Sequence, residues 1–301
     1  MDINSKFFKT QEIYDGATAI SGLIGELAFL IRGREKALLI DTLTGIGSLK
    51  AFCRELTDLP LTVVNTHGHV DHVGSNAEFE RVYIHPLDMD MMYYQMTVNK
   101  KIDFLRRIVK VDDLVEESVK NNDFVKEKGF YAIPISEGEY FDLGGKIIEV
   151  IHTPGHSRGS VALLDVNKRI VFIGDILCQG VLMCLEHSTS VQEYHEGLKN
   201  LKTYDHRFDR MIWSHNLELV TSAQLDEGIE ASRDVLEGRD DAEPYPEHPF
   251  YHAKKTIMID GTLKRTDGKW ANILYDKNFL YKKERSKEIV DYKTRNFNMF
   301  D

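Results

Sequence analysis

Basic residues, cysteine and long apolar runs are all in short supply in this chain. Lysine and arginine together number 38 against 48 aspartates and glutamates, a formal charge of −10. No Lys/Arg block stands out, so a nucleic-acid-binding surface is not expected. Three cysteines, Cys53, Cys178 and Cys184, make no disulfide framework, and a reduced, cytoplasmic setting is the expectation. No apolar run approaches a membrane span, and the stretch from Met1 to Phe8 carries no long apolar signal segment. Membrane association is therefore not expected either. Hydrophobic residues make up 42% of 301 positions, enough to bury a substantial core. One large domain with an appendage suits these numbers better than two equal domains.

The densest chemistry lies at Thr66–His72, which reads Thr-His-Gly-His-Val-Asp-His. His67, His69, Asp71 and His72 fall within six residues, just after Leu61–Asn65, a short apolar, β-branched run expected to be a buried strand. The motif then leaves the carboxyl end of that strand, where ligands of α/β proteins collect. Imidazole and carboxylate are the nitrogen and oxygen donors that Zn²⁺ and Fe²⁺ accept. A loop is expected, because neither a helix nor a strand points residues i, i+2, i+4 and i+5 at one spot. Gly68 fits as the place where the backbone turns tightly between ligands. The alternative is a plain His-rich polar loop.

More chemistry-bearing residues share this placement. Leu27–Ile31 and Ala37–Ile40 read as a hairpin ending in Asp41. Val161–Leu164 and Ile170–Ile173 read as another, ending in Gly174-Asp175. His156 lies in the turn His152-Thr-Pro-Gly-His-Ser, and His215 follows the short strand Met211–Trp213. His156, Asp175 and His215 thus each follow a strand closely, as His67 does, which supports one shared site. Cys178 lies close after Asp175 and is weighed as lining that site, against a small buried hydrophobe.

With its His-x-His-x-Asp-His pattern the chain resembles the metallo-β-lactamase superfamily of hydrolases, over about the first 220 residues. The resemblance implies an α/β fold, a four-layer αβ/βα sandwich of two mixed β-sheets. It implies two divalent metal ions, Zn²⁺ first, with Fe²⁺ and Mn²⁺ as alternatives. His67, His69 and His156 would hold one, and Asp71, His72 and His215 the other, with Asp175 bridging. The family's last histidine usually stands beside glycine, whereas here Ser214 and Asn216 flank His215. Asp41 matches the aspartate that orients a ligand or the motif loop; its alternative is a turn cap. Asp71 doubles as the expected catalytic proton acceptor. In lactonases of the superfamily a tyrosine in a comparable region contacts substrate, and Tyr194 is carried over as that contact, against a packed helix tyrosine.

The expected domain layout is a catalytic domain over 1–240, holding a helical insertion at 87–130, and a β-rich C-terminal extension over 241–301. Met89, Met91, Met92, Tyr93, Tyr94 and Met96 open the insertion, and adaptable apolar side chains of this kind line pockets. Met92, Tyr93 and Tyr94 are its candidate substrate contacts, with ordinary core as the alternative. Beyond Gly238 prolines cluster, and 250–284 reads as strands with Asp-Gly turns at 260–261 and 267–268. Tyr251, Ile257, Ile259 and Leu263 alternate with polar residues, which suits a homodimer interface or packing on the same chain.

The expected activity is hydrolysis of a small-molecule ester, thioester or lactone. A phosphodiesterase is the runner-up. Two further readings belong to different classes: a one-metal iron oxygenase of the persulfide dioxygenase type, and a non-catalytic sensor on the same fold. True β-lactamases of this fold mostly lack the bridging aspartate and are exported. Flavodiiron proteins carry Glu where His69 stands.

Overall fold

The computed structural model describes residues 5–108, 113–244, 254–255, 265 and 267–282. The chain forms two compact units. One holds residues up to 148 together with Ser214–Asn216, and the other runs from Glu149 to Trp213 and on from Leu217.

The first unit is built on a seven-stranded sheet whose spatial order follows the chain. Its strands are β1 (Lys9–Tyr14), β2 (Ala17–Ser21), β3 (Leu27–Arg32), β4 (Ala37–Ile40), β5 (Leu61–Val64), β6 (Arg81–Ile84) and β7 (Tyr131–Pro134). The first four pair antiparallel, and β4 through β7 run parallel. Helix α1 (Leu49–Leu56) crosses from β4 to β5, capped by Ser48, whose side chain accepts from the Ala51 N–H. It buries Leu49, Phe52 and Cys53, the residues that helical spacing places on one face. Strand β4 is buried along its whole length, as parallel strands covered on both faces are. Its register sets Ile40 opposite Val64, so Asp41 and Asn65 leave the sheet side by side. The short α2 (Val70–Val73) follows β5. Three further helices lie between β6 and β7: α3 (Met89–Gln95), α4 (Val98–Ile108) and α5 (Asp113–Asn121). Strand β8 (Tyr140–Asp142) closes this part of the chain.

In the second unit, β9 (Ile147–His152), β10 (Val161–Asp165), β11 (Ile170–Phe172), β13 (Arg210–Trp213) and β14 (Asn216–Val220) form a mixed sheet in the order β14-β13-β11-β10-β9. Strands β10 and β11 pair antiparallel, β11 and β13 parallel. Helix α6 (Val191–Thr203) starts with a full capping box, Ser190 with Glu193, and buries Val191, Tyr194, Leu198 and Leu201. Helix α7 (Ser222–Leu236) buries Leu225, Ala231 and Val235 into the same core. A smaller sheet runs β12 (Val181–Met183), β17 (Ile273–Tyr275), β16 (Lys254–Lys255), β15 (Glu243–Pro244).

Mixed sheets with helices give the α/β class that the sequence leads one to expect. Of the strands expected over 250–284, Lys254–Lys255 and Ile273–Tyr275 are present among the described residues. Tyr251, Ile257, Ile259 and Leu263, with the 260–261 turn, lie outside them. No helix among the described residues is long and apolar enough to cross a membrane.

Candidate metal centre

The first unit carries most of the expected ligands. After β5 the chain passes through Asn65 and Thr66 into the motif. His69 lies on extended backbone, but Asp71 and His72 do not sit on a loop as expected. They belong to α2, a single helical turn in which the His72 and Val73 N–H groups donate to the His69 carbonyl. One turn advances two adjacent side chains by about 100°, which supplies the change of direction that the spacing demands.

Gly68 also differs from expectation. It is not among the residues of positive φ. A Cβ there would stand 2.9 Å from both the Asp88 carbonyl oxygen and Met91 Cε, and 3.1 Å from Met92 N. Glycine is needed because the start of α3 presses on the motif. The Gly68 N–H donates to the buried Asp88 carboxylate at 3.0 Å, so the insertion grips the backbone between two histidines.

Asp41 organises the imidazoles. It is fully buried and sits at φ 62°, a left-handed conformation that turns its carboxylate back toward the motif. Oδ1 accepts from the Thr66 N–H at 2.7 Å; Oδ2 accepts from Thr66 Oγ1 at 2.8 Å and lies 2.8 Å from His72 Nδ1. A carboxylate only accepts, so His72 carries its proton on Nδ1 and turns Nε2 toward the ligand side. Thr66 donates its hydroxyl to Asp41, and its oxygen lies 3.1 Å from His67 Nδ1. The same logic makes His67 the donor there, with Nε2 as its ligand atom. One carboxylate thus fixes two tautomers, which is how metal-ligating histidines are commonly held. The Asn65 side chain ties the same turn down by donating to the His72 carbonyl at 2.8 Å.

The donor atoms converge. Asp71 Oδ2 lies 3.7 Å from His72 Nε2 and 3.5 Å from His215 Nε2. Asp71, His72 and His215 offer ligand atoms within 4.8 Å of one another. Ring centroids of His67 and His72 are 3.9 Å apart, and those of His67 and His69 4.8 Å. A buried set of imidazole nitrogens with a carboxylate fits a divalent cation of the zinc or iron kind. His215 is the most exposed of the three at 28%, and the Leu27 N–H holds its neighbour by donating to the Ser214 carbonyl at 2.7 Å.

The second unit brings His156 and Asp175 together. His156 Nε2 lies 3.7 Å from Asp175 Oδ2. Its Nδ1 lies 3.0 Å from the Leu182 carbonyl, an acceptor, so this ring too is protonated at Nδ1. Ser188 Oγ donates to the His156 and Leu182 carbonyls, both at 3.1 Å, and pins the turn to β12. Gly155 is forced by packing: a Cβ there would meet the Tyr194 ring at 2.4 Å.

That contact decides where Tyr194 lies. It is 1% exposed, and its hydroxyl donates to the Ile176 carbonyl at 3.1 Å, so it underpins the His156 turn from the core. Met92 is fully buried in the core of the first unit, Tyr93 is half-buried against Phe130, and Tyr94 is 54% exposed. Burial pushes the Cys178 thiol up to about 12, which keeps it a neutral, packed side chain at ordinary pH. His195 lies between α6 and α7, with Nδ1 2.9 Å from Ser232 Oγ. Asn65, Thr66, Asp88 and Ser188 are supports that sequence reasoning does not single out. Asn65 and Thr66 abut the motif and are open to suspicion on that ground; Asp88 and Ser188 carry no local signal.

A profile of the metallo-β-lactamase superfamily matches residues 22–208, and the chain belongs to that superfamily. Among individual proteins it is similar to the acyl-coenzyme A thioesterase MBLAC2 of Homo sapiens, 29% identical over 174 residues, 52% of this chain and 59% of that protein. It is also similar to the hydroxyacylglutathione hydrolase GloC of Haemophilus influenzae, 30% identical over 135 residues, 42% of this chain and 54% of the relative. The match therefore spans little more than half the length of these curated relatives. A crystal structure of a metallo-β-lactamase from Erythrobacter litoralis covers 78% of this chain and 100% of its own, with TM-score 0.54 and 13% identity. At that identity the likeness is one of fold, and the fold is that of the metallo-β-lactamases.

Proposed function

We propose that the protein is a metal-dependent hydrolase that cleaves a thioester, ester or lactone, with thioesters favoured. The observation that carries this reading is the convergence of Asp71, His72 and His215, with His72 held in one tautomer by Asp41. Membership of the superfamily supports it. So do the names of two relatives, a thioesterase and a hydroxyacylglutathione hydrolase, which both describe removal of an acyl group from a thiol carrier.

In this reading His67, His69 and His156 would hold one ion and Asp71, His72 and His215 a second, with the Asp175 carboxylate as a further ligand. Zn²⁺ suits the donors best, with Fe²⁺ and Mn²⁺ as alternatives. Two bound divalent ions would supply an acidified water near neutral pH and Lewis-acid polarisation of the acyl oxygen. The chain's own residues do the rest. Asp41 keeps His72 and, through Thr66, His67 from rotating, so their lone pairs stay aimed. Asp71 keeps a carboxylate oxygen within reach of the reacting centre, where it can receive the proton released on attack and pass it to the leaving sulfur or oxygen. Neither serine nor cysteine is needed as nucleophile. The start of α3 is pressed against Gly68, which makes the insertion the natural wall for substrate, with exposed Tyr94 as its candidate contact.

The test is metal removal. Exhaustive chelation should abolish thioester hydrolysis, and Zn²⁺, Mn²⁺ or Fe²⁺ should restore it. Full activity in protein verified metal-free would sink the mechanism. A panel of acyl-CoA, lactone, phosphodiester and β-lactam substrates, run with metal counting and oxygen uptake, separates the hydrolase reading from phosphodiesterase and one-iron oxygenase activity.

A further inference from the structure

Glu26 is a carboxylate buried to 1% exposure in the first unit, and neither ligand nor catalytic step makes use of it. Burying a carboxylate is costly unless hydrogen bonds replace the water it loses. Its two oxygens find them on two separate segments. Oε2 accepts from the Ile24 N–H at 3.0 Å; Oε1 accepts from the Thr44 N–H at 3.2 Å and from Thr44 Oγ1 at 2.6 Å. Gly22 makes room, since a Cβ there would fall 2.3 Å from Oε1.

Thr44 lies in an unusual stretch. Between Asp41 and Gly45 three backbones are left-handed: Asp41 at φ 62°, Leu43 at 56° and Gly45 at 85°. For leucine this is a strained conformation, and it persists only where the surroundings over-determine it. From one side the turn is held by the motif: the Thr42 N–H donates to the His72 carbonyl at 2.8 Å, and the Gly74 N–H donates to the Leu43 carbonyl at 2.8 Å. On the other side stands Glu26. The same turn begins with Asp41, which fixes His67 and His72.

We propose that Glu26 is a positioning residue for the metal centre: by pinning Thr44 it holds the left-handed 41–45 turn that aims Asp41 at His72 and Thr66. The neighbouring Leu27 N–H holds Ser214 beside His215, so one loop steadies both sides of the Asp71–His72–His215 set. A carboxylate is suited to the task because it accepts on both oxygens and donates on neither. Glutamine at position 26 would keep the shape but turn an NH2 group toward one of the two segments, where it meets an N–H.

The inference rests on the metal-centre reading, so its test begins without metal. In the metal-stripped 301-residue chain with ¹⁵N-labelled histidine, the His72 Nδ1–H resonance, assigned by its loss in His72→Gln, reports the Asp41 bond directly. Glu26→Gln and Thr44→Val should each shift or broaden it. On reloading, each should weaken Zn²⁺ affinity by roughly tenfold or more, the range for residues that orient metal ligands. Val82→Ala, a core change in the same unit, serves as control for a comparable loss of Tm. An unchanged resonance and affinity in Glu26→Gln overturns the proposal, as does an equal change in Val82→Ala, which would mark Glu26 as ordinary scaffolding. Should Glu26→Gln fail to fold, Thr44→Val decides the matter by the same two readouts. Wild-type protein that binds no metal would defeat the metal-centre reading, while the resonance would still judge the Glu26 clamp.

Discussion

His72 and His156 illustrate two ways of aiming an imidazole. Each carries its proton on Nδ1, where it donates to an acceptor, and turns Nε2 toward the ligand side. His72 donates its Nδ1–H to a side chain, the Asp41 carboxylate, at 2.8 Å. His156 donates its Nδ1–H to the main chain, the Leu182 carbonyl, at 3.0 Å. The charged acceptor makes the stronger bond and raises ligand basicity. The carbonyl is neutral, and substitution reaches it only through what holds β12 in place. Even the hairpins that lead to the two aspartates differ in this sense. After β4 the left-handed residue is Asp41 itself, whereas after β11 it is Gly174, at φ 53°, which frees Asp175 to point elsewhere. A side-chain acceptor gives charge and tunability; a backbone acceptor gives stiffness.

Measurement can test whether the two modes differ. The largest effect is expected from Asp175→Ala, which should lower metal content from two ions toward one and cut turnover by orders of magnitude. Two retained ions with a normal rate would remove Asp175 from its bridging role. Next comes Asp41→Asn. The amide cannot accept from the Thr66 N–H, the Thr66 hydroxyl and His72 together, and Zn²⁺ affinity measured by chelator competition should fall by about 10–100-fold. Ser188→Ala removes the donor that ties His156 to β12, and a smaller loss, a few-fold in affinity, is expected because the Leu182 carbonyl remains. If Ser188→Ala matches Asp41→Asn, the two modes of support are not different in strength. The smallest change belongs to His195→Ala. It should leave metal content and turnover alone and lower stability by about 1 kcal/mol through its lost contact with Ser232, as read by thermal unfolding.

What the sequence reveals about the site is what lies close together along it. His67, His69, Asp71 and His72 form one short run, and Asp41, His156, Asp175 and His215 each follow a strand that its apolar residues announce. The supports are not legible for the opposite reason. Glu26 reaches Thr44 and Asp88 reaches Gly68 across 18 and 20 positions, in local settings that carry no pattern. Strands β7 and β14 escape notice because they are half-exposed and lack clean alternation. Tyr194 falls in a stretch that reads as helical, and it is helical. Whether it faces a pocket or the core is decided by Gly155, a distant residue that no periodicity connects to it.

Strand β12 pairs in parallel with β17, Leu182 beside Leu274, and this sets an order of events during synthesis. A ribosome that has just made the His156 turn and Val181–Met183 must add roughly ninety more residues before the partner strand exists, on the order of 5–20 s at ordinary elongation rates. Through that interval β12 shows a bare edge to whatever other strand is near, the usual opening for association between nascent chains. The histidine turn is therefore finished late, by a segment far down the message.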